Sequence, residues 1–159
     1  MLFNQLSFCE QLLIWAARKW VETTENEGNL HSTLQTAFRL AKVPDAYMAL
    51  DGFLTTLFAT TTQTIAFRPH RSQEISTAEY RFLDLVAALQ VPGNRKSAVK
   101  LAATWMPPAA QRSGLEQCEV LSRDLALANH RLNQREISAL DMSTNSFKVQ
   151  LRNPTTNAT

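Results

Sequence analysis

The chain has 159 residues, 45% of them hydrophobic, with only 4 Gly and 6 Pro. That is enough apolar material for one buried core and too few breakers for a long disordered chain. A formal charge of +2 is too small to argue for nucleic acid or a membrane surface, and no run approaches the ~20 apolar residues of a membrane-spanning helix.

From Leu2 to about Glu22 the residues Leu2, Leu6, Cys9, Leu13, Ala16 and Trp20 recur every three or four positions, one stripe of a helix. Phe8, Leu12 and Trp15 run beside it, and Ile14 falls between Gln11 and Arg18 on the polar side. The acidic, Asn-rich stretch 22–29 ends that helix. A second helix is expected from Leu30 to Lys42, with Leu30, Leu34, Ala37, Phe38 and Ala41 on one face. Pro44 stops it and starts a third, whose core face is Tyr47, Leu50, Leu54, Leu57, Phe58 and Ile65. Six threonines in this third segment weaken its last turn. Ser76 and Glu79 form a capping box before a fourth helix that runs to about Gln90. After the turn Val91–Asn94 a short fifth helix buries Ala98, Leu101, Ala102 and Trp105, and Pro107–Pro108 closes it. A sixth covers about Leu115 to Leu132. Residues 146–152 alternate polar and apolar in the manner of a strand.

The expected fold is all-α: a single compact bundle of five to six helices over residues 1–142, followed by an extended or partly disordered tail over 143–159. That tail either packs Phe147, Val149 and Leu151 against the bundle or offers them to a partner. Cys9 and Cys118 lie far apart on apolar stripes, as reduced core thiols do, and no signal peptide precedes the first helix. The expected location is the cytoplasm.

No constellation of catalytic, cofactor-binding or metal-ligating residues emerges. His31, His70 and His130 stand alone, and the four glycines form no phosphate loop or dinucleotide fingerprint. Asp51 and Asp84, one position off the apolar stripes, read as surface carboxylates. No catalytic role, cofactor or metal is therefore assigned, and an enzyme of unrecognised type is only the third reading.

The leading reading is a non-enzymatic protein-interaction or regulatory module that self-associates, as a homodimer, through its first helix. Phe8, Ile14 and Trp15 are its interface residues, because an apolar face this wide exceeds what one side of a core needs. A helix-turn-helix-like DNA-binding regulator is the alternative. It would use the basic segment 95–112, where Arg95, Lys96 and Lys100 open or follow the start of a helix and no acidic residue intervenes between Asp84 and Glu116. Arg68, His70 and Arg71 share one loop and form a candidate anion contact. No membrane partner is expected, since Glu10 and Glu22 lie on the helix that would have to lie on a bilayer.

Overall fold

Ser7 and Glu10 start the first helix reciprocally. The Glu10 N–H donates to Ser7 Oγ at 3.4 Å, and Glu10 Oε2 accepts from the Ser7 N–H at 2.9 Å, the two halves of a capping box. The helix therefore begins at Phe8, and the residues before it form a separate 3-10 turn, Phe3–Gln5. The computed structural model describes residues 1–22 and 29–135. In chain order these hold α1 (Phe8–Glu22), α2 (Leu30–Leu40), α3 (Ala46–Thr60), α4 (Thr77–Gln90), α5 (Arg95–Ala103) and α6 (Pro108–Leu127). The structure is a compact all-α fold, 67% helical, with no strand among the described residues. The proposed strand and tail lie outside the described residues.

Helix ends follow local chemistry. The Ser76–Glu79 capping box forms as expected, with bonds of 3.1 and 2.8 Å. The start of α6 corrects the expected boundary. Pro107–Pro108 is not a stop but a start, because a proline in the first turn gives up no intrahelical bond and its φ already suits a helix. Both α2 and α6 end on a left-handed residue that is not glycine, Lys42 and Asn129, each with φ near 65°. Around each the last carbonyls are taken up in Schellman fashion: Val43 N–H to Phe38 O at 2.9 Å, and His130 N–H to Leu125 O at 2.8 Å. The chain after α6 then straps over α4. Gln90 Nε2 donates to the His130 carbonyl, Gln90 Oε1 accepts from the Leu132 N–H, and Gln134 donates to the Ala87 carbonyl.

The core centres on α3, where Leu50, Phe53, Leu54 and Leu57 are fully buried. It packs most extensively on α6, while α4 joins α5, α6 and α1. A row of rings links the layers: Trp20 on Phe58, Phe58 on Phe67, Phe67 on Phe82 and Phe82 on Phe53, with centroids 5.7–6.4 Å apart. Through Phe67 this row anchors the long loop between α3 and α4 to the core, each buried ring contributing on the order of 1.5–3 kcal/mol. Cys9 and Cys118 are free and buried, as the stripes predict. Among the described residues no helix is long and apolar enough to cross a membrane.

Candidate functional site

On α1, Phe8, Leu12 and Trp15 succeed each other at helical spacing, and on α2 so do Ala37, Leu40 and Ala41. Together with Phe3 and Gln11 these residues line one groove of about 450 Å³. The alanines are the low side of the α2 wall, while Phe8 and Leu40 stand proud, 63% and 78% exposed. Gln11 is held out of the groove's chemistry by donating to the Leu6 carbonyl at 2.9 Å. Behind Phe8, His130 lies 5.9 Å away ring to ring, and its Nε2–H donates to the Ala41 carbonyl at 2.9 Å. That bond joins the end of α2 to the segment after α6, so the groove is built from elements fixed to one another.

Phe8 and Trp15, two of the three interface residues expected from the sequence, lie on this groove. Ile14 does not: it is 0% exposed and belongs to the core. The reason is its neighbour one turn on. Arg18 marks a polar side of α1 in the sequence, yet its side chain is also 0% exposed and points inward. Arg18 Nε donates to Glu79 Oε1 at 2.6 Å and Nη2 to Oε2 at 3.0 Å, with further bonds to the carbonyls of Ser72 and Glu74 at 2.7 Å each. The side of α1 that reads as polar is thus an interior face, and Ile14 is buried with it.

A second buried cluster lies where α1, α4 and the C-terminal strap meet. Arg135 Nη2 donates to Glu10 Oε1 at 2.7 Å, and its Nη1 sits 3.7 Å from Asp84 Oδ1. Asp84 is 3% exposed rather than at the surface, and neither of its carboxylate oxygens has a hydrogen-bond partner among the described residues. Burial first, and the charge of Glu10, raise the Asp84 carboxyl above its ordinary range, although Arg135 pulls the other way. Two carboxylates around one guanidinium could move protons, but Glu10 is 0% exposed and Asp84 3%, and none of the three residues lines the α1–α2 groove. Asp51, the other carboxylate singled out, accepts the Trp20 indole N–H at 2.8 Å, a structural bond between α1 and α3.

The basic candidates are placed as follows. Arg95 pairs with Glu119 on α6, while Lys96 and Lys100 are exposed on α5, a helix of nine residues packed on α4 and α6. Arg68 pairs with Glu74 at 3.2 Å, and Arg71 is exposed. His70 turns to Glu22, its backbone N–H donating to Oε1 at 2.7 Å and its ring Nδ1 lying 2.6 Å from Oε2. Burial alone would raise the Glu22 carboxyl, but these bonds and the charges of His70 and Lys19 outweigh it and hold the group below its ordinary range. Among the described residues no three His, Cys, Asp or Glu side chains converge as metal ligands.

Sequence reasoning missed Leu40, Glu10, Glu79's ion pair and Arg135. Leu40 had a visible signal, since it is a large apolar residue off the stripe of its helix. The buried charges had none, because their burial depends on partners 61 to 125 residues away. Compared with protein-family models, with curated proteins and with solved structures, the chain matches none of them.

Proposed function

We propose that this chain is a non-enzymatic protein-interaction module that self-associates through the α1–α2 groove. The carrying observation is that one face holds both protruding apolar side chains, Phe8 and Leu40, and a shallow apolar hollow bounded by alanines. Knobs and hole on the same surface are self-complementary under a two-fold axis, where each copy's protrusions meet the other's hollow. A second copy is therefore the occupant that this face fits. Removing Phe8 and Leu40 from water contributes about 1–2 kcal/mol each at their observed exposure, so about 4–8 kcal/mol over two copies. Trp15 adds to that, and association costs offset part of it, so the dimer is a weak one, with a dissociation constant of roughly hundreds of micromolar.

Light scattering on the eluting protein tests the surface. Phe8→Asp and Leu40→Asp should each shift the molecule towards the monomer while the far-ultraviolet helical signal stays intact. Met48→Asp, at an equally exposed residue of α3 (73%) outside the groove, should leave the mass unchanged. Equal effects of all three substitutions would remove the groove from the account.

A further inference from the structure

A second hollow, independent of the α1–α2 groove, lies between the α3–α4 loop, the first turn of α4 and Trp105 beyond α5. Its volume is about 640 Å³, within the roughly 300–1,000 Å³ usual for small-ligand sites. Ile65, Phe67, Ile75 and Trp105 give it apolar and aromatic surface, and Arg68 and Arg81 give it charge. No carboxylate lines it. The two cations are not equivalent. Arg68 is paired with Glu74, though both side chains are exposed, 47% and 69%, and such a pair is weak. Arg81 has no hydrogen-bond or ion-pair partner among the described residues. The start of α4 is not counted towards the site, because the Glu79 carboxylate already occupies it.

The cleft is held open by bonds that have nothing to do with a ligand. Arg18 clamps the Ser72 and Glu74 carbonyls, and Glu79 Oε1 accepts from the Arg68 N–H at 3.0 Å. Ser76 Oγ donates to the Ala66 carbonyl at 2.7 Å, and Phe67 is fixed between Phe58 and Phe82. A loop with so many tertiary anchors presents a formed wall, and preorganisation of this kind lowers the cost of binding.

We infer that this cleft binds a small organic anion: a flat apolar body against Phe67, Ile65 and Ile75, with Trp105 buried behind them, and a phosphate or carboxylate head on Arg81 and Arg68. Guanidinium groups suit both heads through paired N–H donors, and an aromatic wall suits a planar body.

Calorimetric titration of the full chain with 1-naphthyl phosphate, 1-naphthoate and uncharged 1-naphthol tests the inference. One anion should bind per chain, and the phosphate and naphthoate arms show which head is preferred. The neutral alcohol should bind at least about tenfold more weakly than the better anion, the usual consequence of losing a charged hydrogen bond. Arg81→Gln should weaken anion binding by about tenfold or more, and Arg81→Lys, which keeps the charge but not the paired donors, should weaken it by less than Arg81→Gln does. Inorganic phosphate should compete with 1-naphthyl phosphate on the unaltered chain, a result independent of any variant's folding. Leu40→Asp should leave the affinity unchanged. The inference is overturned if neither anion binds at millimolar concentration, if 1-naphthol binds equally well, if phosphate fails to compete, or if the affinity follows Leu40 instead of Arg81.

Discussion

Replacing Arg18 with Met tests how the interior of this protein is organised. Methionine keeps most of the stem's bulk but removes four hydrogen bonds of 2.6–3.0 Å: two to Glu79 and one each to the carbonyls of Ser72 and Glu74. Both partners of the ion pair are 0% exposed, so the Glu79 carboxylate would stay buried with only the backbone N–H groups of Arg68 and Ser76 to hold it. Breaking one side of a buried pair costs about 3–5 kcal/mol. In a domain whose whole stability is about 5–15 kcal/mol, that is a large share. At roughly 2–4 °C per kcal/mol for a chain of this size, the melting temperature should fall by about 10 °C. Urea unfolding followed by circular dichroism gives the free energy directly. The double variant Arg18→Met, Glu79→Gln should recover a substantial part of the loss, because glutamine can still close the capping box with Ser76 and leaves no buried charge. Their coupling should then be on the order of 1–3 kcal/mol. A single variant within about 1 kcal/mol of the parent, or strict additivity in the double, would refute the claim that a buried ion pair closes the α3–α4 loop.

Three further outcomes follow from the buried groups and the helix ends. The folded state raises the Asp84 carboxyl, so it holds a proton that the unfolded chain releases. Stability from this group therefore falls as pH climbs from the ordinary carboxylate range through the raised value, and its ionised form is a burden at neutral pH. Asp84→Asn should accordingly stabilise the protein at pH 7 by about 1 kcal/mol and flatten that part of the pH profile of urea unfolding; a destabilised variant would show instead that Arg135 outweighs burial. Burial first, and then Glu10, push the Cys9 thiol up to about 12, and burial pushes Cys118 upward too. A thiol reagent at pH 8 should therefore label both slowly in the native protein and quickly in urea, and rapid native labelling of either would contradict its place in the core. Lys42 occupies a left-handed conformation that L side chains adopt at a cost, so Lys42→Gly should raise stability by about 0.5 kcal/mol in the same urea assay, while a loss would show that the lysine side chain stabilises that corner.

The helices themselves were legible because apolar residues return at helical spacing, and Ser76–Glu79 marked the start of α4. Elsewhere a local signal was overridden by a stronger pattern. Leu2 and Leu6 extend the apolar stripe of α1 backwards across Ser7, hiding the Ser7–Glu10 box that starts the helix. Pro107–Pro108 carries two meanings, stop and first turn, and only the packing of α6 decides between them. The ends at Lys42 and Asn129 lack the glycine that announces a left-handed cap. Periodicity also assigns charged residues to water, so Arg18, Glu10 and Asp84 read as surface groups. Their burial is a property of pairs, Arg18 with Glu79 and Arg135 with Glu10, that no local window contains. The groove was half visible: Phe8 and Trp15 lie outside the main stripe of α1, and Leu40 outside that of α2, but only the fold sets these helices side by side and sends Ile14 to the other face.

Sedimentation equilibrium of the unaltered chain, from low micromolar to several hundred micromolar, tests the central claim most directly. Self-association through Phe8, Trp15 and Leu40 predicts a reversible monomer–dimer equilibrium with a dissociation constant of roughly hundreds of micromolar, abolished in the Phe8→Asp, Leu40→Asp double variant. A single monomer mass across the whole range would contradict the claim, and so would a dimer that persists unchanged in the double variant.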